Sequence, residues 1–252
     1  MRHPCARAIM METVGGFMTG FADAHLHPAD MREAYPGYEQ AELLFGCSTC
    51  PGDWNVLRGI EDTRIVKFYG VHPWKATEWT ADAENGLRFI LDHEPESGVG
   101  EIGLDSNRSG TEMQIKAFRE QLSIAKEYRR TAQIHCVGCY KEVVDILRET
   151  RSDNPVVMHA FDSESYAKPL VRSGCFLSIN PRILKRSKER ISRLLSSIPK
   201  DRLLLESDHP FAPGGFIGMT AFAEELSEAC GIPAGHLLSI SSENARRITK
   251  WE

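Results

Sequence analysis

No stretch of this sequence approaches the roughly 20 consecutive apolar residues of a membrane helix, and it has no internal repeat, low-complexity tract or long Gly/Ser linker. The first absence argues against a helical membrane span. The others leave no visible boundary at which to divide the chain into domains. Excess charge is also small: 30 Lys and Arg against 35 Asp and Glu give a formal net charge of −5. The overall field therefore cannot hold a polyanion, and any phosphate must be met by a local group of cations. The cysteines number seven, an odd count, and the early apolar segment Ile9-Met10-Met11 is far too short for a secretory core. That combination fits a reducing compartment better than a disulfide framework, and a cytoplasmic location is expected. Residues 1–18 read as a loose extension, with Met18 an alternative start, and residues 19–252 as one domain.

What the chain does have is a hydrophobic fraction of 42% over 252 residues, enough for a sizeable core, and a recurring unit. A short run rich in Val, Ile, Leu or Phe is followed, again and again, by a more polar stretch. The runs are Phe21–His25, Glu42–Cys47, Arg64–Val71, Gly98–Leu104, Thr131–Cys136, Pro155–Ala160, Cys175–Ile179 and Arg202–Glu206. Short, nearly all-apolar runs are what strands buried on both faces require. Between them, Thr111–Arg130 places Ile115, Phe118, Leu122 and Ala125 at helical spacing, and Thr111-x-x-Gln114 reads as a capping box. Weaker helical patterns include Leu87–Leu91, Val143–Leu147, Ile191–Ile198 and Phe222–Leu226. Tyr35-Pro36-Gly37-Tyr38 predicts a loop in the first connection. Eight strands alternating with helices predict an α/β fold of the TIM-type (β/α)8 barrel class, somewhat irregular in its first third. An open doubly wound sheet is disfavoured, since no GxGxxG follows the first strand.

In such a barrel the reactive groups lie at the C-terminal ends of the strands. The first strand ends Asp23-Ala24-His25-Leu26-His27, and alternation along an extended chain puts His25 and His27 on one side, able to hold one ion together. The fourth carries Glu101 and Asp105 in GEIGLD, the fifth ends at His135, the sixth at His159, and the eighth runs Leu205-Glu206-Ser207-Asp208-His209-Pro210. A single histidine at a strand end is more often a hydrogen-bonded structural residue. Four histidines and two carboxylates at successive strand ends point instead to a divalent-metal centre. His209 is expected to face away from the interior by the same alternation.

DAHLH, GVHPW, GEIGLD, IHC, MHAF, LLLESDHP and SSENARRI, in that order, together with the helix segment QIKAFREQLSIAKE, resemble the TatD-type DNase family of metal-dependent hydrolases over roughly residues 20–249. The resemblance implies two divalent ions and hydrolysis of phosphodiesters, with DNA the usual substrate and action directed at 3′ ends. It implies that His25 and His27 hold one ion, His135 and His159 the other, that Glu101 bridges them and that Asp208 completes the first site. Asp208 is placed to take a proton from the attacking water as general base. Asp23 is expected to buttress the ligands, and His72 to contact a substrate phosphate or a bound water. Mixed imidazole and carboxylate donors suit Zn²⁺, Mn²⁺ or Mg²⁺.

The chain departs from the family pattern in three places near the substrate face. Val137 stands two residues after His135, where the family usually has Arg. Ala212–Met219 lacks the usual basic segment, and the first connection is short. These departures keep two further readings open: hydrolysis of a small phosphoester, lactone or amide, and service as a subunit of a larger DNA-repair or phage-defence complex. Cys47-x-x-Cys50 and Cys136-x-x-Cys139 read as small buried residues, not a zinc ribbon. Lys185, Arg186, Lys188, Arg190 and Arg193 read as a solvated helix face, with guidance of a phosphate backbone as the alternative. Trp74 and Trp79 suit either base stacking or burial under the barrel rim.

Overall fold

The computed structural model describes residues 20–212 and 216–249; the expected extension over 1–18 lies outside them. Eight strands appear where the apolar runs predict: β1 Phe21–Leu26, β2 Ala41–Cys47, β3 Ile65–Tyr69, β4 Gly98–Asp105, β5 Ala132–Val137, β6 Val156–Met158, β7 Cys175–Ile179 and β8 Leu203–Leu205. They form one parallel sheet in sequential order. Around it lie α1 Pro51–Arg58, α2 Ala81–His93, α3 Thr111–Glu127, α4 Tyr140–Thr150, α5 Glu164–Arg172, α6 Lys188–Ser197, α7 Met219–Cys230 and α8 Ala234–Thr249. The first connection has no α-helix, only short 3-10 turns at Pro28–Asp30 and Tyr38–Gln40, the irregularity expected there.

The barrel closes between β1 and β8 in two ways. At the top, Leu26 bridges His209, the Asp208 N–H donates to His25 O at 2.9 Å, and the His27 N–H donates to His209 O at 2.8 Å. Elsewhere along the seam α8 supplies the acceptors: Ser242 Oγ takes the Ala22 N–H and Ser241 Oγ the Leu205 N–H, both at 2.8 Å. Asn244 donates to the carbonyls of Lys200 and Leu203. The SSEN segment thus satisfies backbone groups that a continuous β1–β8 ladder would otherwise pair.

The side-chain parity of the strands separates core from site. Phe45, Phe68, Val157, Phe176 and Leu204 belong to one buried apolar cluster. Two residues further along the same strand faces come Cys47, Gly70, His159, Ser178 and Glu206. The apolar layer therefore forms a floor, and the polar positions sit above it towards the C-terminal mouth. A second, larger cluster, including Leu44, Ile102, Ile134, Phe118, Leu122 and Leu226, packs the sheet against the helices. Glycine is required where β4 meets β5: Gly103 has φ +143, and a Cβ there would lie 2.0 Å from His135 O.

One helix start differs from expectation. Gly110, with φ 84, precedes the first residue of α3, and Thr111 lies within the helix. There is no capping box. The Gln114 side chain turns back instead, accepting the Asp105 N–H at 2.8 Å and donating to Asp105 O, so it fixes the loop that leaves β4.

Candidate metal centre

His25 and His27 leave the end of β1 on one side, as alternation predicts, with their Nε2 atoms 3.2 Å apart. Glu101 Oε2 lies 3.5 Å from each. Asp208 Oδ1 lies 3.6 Å from His27 Nε2 and 4.0 Å from His159 Nε2. His135 Nδ1 is 2.9 Å from Glu101 Oε1, and His159 Nε2 is 3.8 Å from the same oxygen. All six expected ligands therefore converge on one buried space, with Glu101 at its centre. The tightest groups are His25 with His27 and Glu101, His25 with His159 and Asp208, and His72 with Glu101 and His135. His135 and His159, which the resemblance puts on one ion, do not share a group. No cysteine joins any of these groups among the described residues.

This donor set fits a divalent cation. Two imidazole nitrogens face each other with a carboxylate oxygen near both, closed off from solvent. One proton shared between those nitrogens leaves the carboxylate oxygen beside them without a donor, whereas a cation takes both lone pairs and the oxygen. Without a cation, protons and carboxylates balance one another. Burial by itself would raise the Glu101 carboxyl, but His159, His25 and His135 outweigh it and hold the group well below its ordinary range. Burial pulls the His135 imidazole down, but its contacts with Asp105 and Glu101 prevail and lift it to about 9. Asp208, buried yet faced by His159, His27, His25 and Arg182, is held at about 2.

His72 shares the space without offering a lone pair to it. Its Nδ1 accepts the Trp74 N–H at 3.1 Å, and burial drives the imidazole down to about 3, so the ring is neutral with its proton on Nε2. That atom lies 3.6 Å from Glu101 Oε1. His72 is thus built to donate a hydrogen bond into the site, the behaviour expected of a group that meets a phosphate oxygen or a water. His209 points elsewhere, its Nε2 3.0 Å from Glu33 O.

Several supporting residues escaped the sequence reading. Glu206, fully buried, places Oε1 2.7 Å from His159 Nδ1 and accepts the Ala160 N–H. Gln133 puts Oε1 3.3 Å from His25 Nδ1 and donates to Ala24 O. Each sets an oxygen against the far nitrogen of a histidine, the place where outer partners of metal-ligating imidazoles stand. The parity of the strands carries the signal, since Glu206 and Gln133 stand two residues before Asp208 and His135. Asp105 faces His135 Nε2 at 3.3 Å and accepts the Trp74 Nε1–H at 2.6 Å. Asp23, which the sequence does mark as a support for the ligands, braces the closure of the barrel: it accepts the N–H groups of Ser207 and His25 and the Tyr35 hydroxyl. Burial pushes its carboxyl up to about 6.

Asp208 has φ 55, a left-handed conformation that turns its side chain across the mouth. Its Oδ2 is held by Arg182 Nη1 at 2.6 Å and by Asn180 Nδ2 at 3.4 Å. Asn180 and Arg182 follow β7, an irregular segment with no periodicity to mark them. Arg182, Lys185 and Arg186 line a cleft of about 320 Å³ beside His135, Val137 and His159. The basic run is therefore not wholly a solvated helix face: its first members border the site, while Lys188 and Arg193 pair with Glu228 and Glu164 on the surface. Trp79 is buried with Nε1 donating to Glu120, whereas Trp74 is 55% exposed with Arg108 over its ring at 4.2 Å.

A (β/α)8 barrel whose mouth gathers four histidines and two carboxylates defines a metal-dependent hydrolase. Within that class the chain belongs to the TatD related DNase family, whose model matches residues 22–250. A Rahnella protein named 3′-5′ ssDNA/RNA exonuclease TatD is 34% identical over 196 residues, covering 71% of this chain and 74% of that one. The Bacillus subtilis protein named uncharacterized metal-dependent hydrolase YabD is 29% identical over 196 residues, 73% of this chain and 77% of its own. The crystal structure of YjjV, a TatD homologue from Escherichia coli, shares the fold with a TM-score of 0.80 at 21% identity, covering 92% of this chain and 98% of that one.

The outer partner of His159 gives a test of the site that does not depend on substrate. Glu206→Gln keeps the shape but removes the charge that orients and strengthens the imidazole. Divalent-metal affinity, measured by titration calorimetry, is expected to fall about 10- to 100-fold with an unchanged far-UV spectrum. Unaltered affinity would show that Glu206 serves only the Ala160 backbone.

Proposed function

We propose that the chain is a two-metal nuclease that removes nucleotides from the 3′ end of single-stranded DNA. The observation that carries this reading is the convergence of His25, His27, Glu101, His135, His159 and Asp208 on one buried space at the barrel mouth. His25, His27 and Asp208 would hold one ion, His135 and His159 the other, with Glu101 between them. When bound, two such ions lower the pKa of a water and neutralise charge on an attacked phosphate; Zn²⁺, Mn²⁺ or Mg²⁺ suits the donors.

The protein's own groups do the rest. Asp208 presents Oδ1 to the cluster while Arg182 and Asn180 hold Oδ2, so Oδ1 faces both the ion it would help hold and the attacking water whose proton it would take. His72 donates from Nε2 to a non-bridging phosphate oxygen. Glu101 stays ionised, because the surrounding imidazoles hold its carboxyl low, and its charge offsets that of the cations. Cations beside the cluster favour a phosphodiester polymer over a lactone or amide. The relatives named as 3′-5′ ssDNA/RNA exonucleases support the same choice. All six described cysteines are free, in keeping with a reducing, cytoplasmic setting, and no described helix is long and apolar enough to cross a membrane.

The test is mononucleotide release from 3′- and 5′-labelled DNA by metal-stripped protein resupplied with each cation. Release from the 3′ end is expected with wild type and none with Asp208→Ala. Protein that binds two ions yet releases nothing would remove DNA as the substrate and leave the metal centre standing.

A further inference from the structure

The cleft beside the metal centre has a charge pattern that the hydrolytic groups do not need. His135 and His159 line it together with Arg182, Lys185 and Arg186. Two of these cations are already engaged: Arg182 with Asp208 Oδ2 and Phe211 O, and Arg186 with both a carboxylate oxygen and the carbonyl of Asp162. Asp162 is the only acid among the residues lining the cleft, and Arg186 neutralises it. Lys185 pairs with no carboxylate among the described residues. Its position is nonetheless set by the fold. Asn180 Oδ1 accepts the Arg182 N–H to start the turn Pro181–Lys185, and buried Ile183 anchors it. Lys185 is itself exposed, so an uncompensated ammonium stands at the rim of a recess that begins at the reacting cluster.

We propose that this recess is a phosphate subsite, with Lys185 its cation, for the phosphate next along the strand from the one being cleaved. The assignment rests on the reading of the protein as a nuclease and specifies how it selects a strand over a small ester. The cleaved phosphate lies at the cluster, so an anion in the recess must be a second one. A nucleic acid strand supplies it; a small phosphoester, lactone or amide does not. Lysine is suited to this as a point charge on a flexible stem, which follows a phosphate without demanding one bidentate geometry.

Lys185→Ala is expected to raise the KM for a single-stranded oligonucleotide about three- to tenfold with little change in kcat. It should also flatten the dependence of log kcat/KM on log salt by about 0.7, the value for one phosphate contact on a single strand. Lys185→Arg keeps the charge and should restore both. Bis(p-nitrophenyl) phosphate, which has one phosphate, should be hydrolysed equally by wild type and Lys185→Ala, which also reports that the variant is folded. A methylphosphonate placed at the next phosphate of the oligonucleotide should cost wild type as much as the substitution does and cost Lys185→Ala nothing more. An unchanged KM and salt slope, or a penalty with methylphosphonate equal in both proteins at every position, overturns the subsite. An equal loss on the small diester overturns it too, by placing Lys185 at the cluster. Failure of the underlying reading is a separate result: wild type then cleaves the small diester and no oligonucleotide, and the recess loses its strand.

Discussion

Glu101→Gln is expected to reduce hydrolysis on the order of 10³-fold while the barrel stays folded. The substitution is nearly isosteric, so packing is not the cause. Glu101 is 2% exposed, and its two oxygens lie within 3.8 Å of ring nitrogens from His25, His27, His72, His135 and His159. Among the described residues no other carboxylate pairs with all five. An amide in its place carries no charge and turns a donor towards positions that need acceptors, so both halves of the site lose their common partner. The apolar floor of Phe45, Phe68, Val157, Phe176 and Leu204 is untouched, and circular dichroism should show a native spectrum. Activity within tenfold of wild type would mean that Glu101 is not the shared ligand. Loss of the fold would mean that its charge is structural, balancing the buried imidazoles.

The convergence of the six expected ligands, His25, His27, Glu101, His135, His159 and Asp208, was legible in the sequence because a barrel converts a one-dimensional fact into a spatial one. All but Glu101, which lies within β4, stand at or just past the end of an apolar run, and parallel strands bring such ends to one mouth. The same parity marks Gln133 and Glu206, two residues back on the same faces as His135 and Asp208. Arg182 was not legible. It follows β7 in a turn that obeys no period, and its importance arises from Asp208, whose left-handed backbone at φ 55 no strand pattern predicts. The capping box at Thr111 failed for a related reason: Gly110 takes up the turn, and Gln114 is drawn to the backbone of Asp105. Ser241 and Ser242 match the family motif, yet their work is closing the β1–β8 seam, which depends on a strand pair 36 residues away from one and 220 from the other.

Removing the metal should lower stability as well as stop hydrolysis, and the size of the stability effect should depend on pH in a definite direction. A ligand at 1,000 times its Kd stabilises the native state by about 4 kcal/mol. For a domain of this size that corresponds to a melting temperature about 8–16 °C higher than in chelator. In the metal-free protein His135 holds its proton up to about 9, above the ordinary 6.5, once Asp105 and Glu101 have overcome the effect of burial. A folded-state pKa above the unfolded one stabilises the native state fully below about 6.5, and that contribution fades as pH rises through about 9. Metal binding needs the same nitrogen unprotonated, so it weakens as pH falls. Both trends act together: between pH 6.5 and 9 the metal-free form loses stability while the metal-bound form keeps its own. Differential scanning fluorimetry in chelator and in excess Zn²⁺ or Mn²⁺ should therefore show a gap that widens with pH across this window. A gap that narrows as pH rises would place the proton somewhere other than on a metal-ligating imidazole, and no gap at any pH would mean that the six side chains hold one another without a cation.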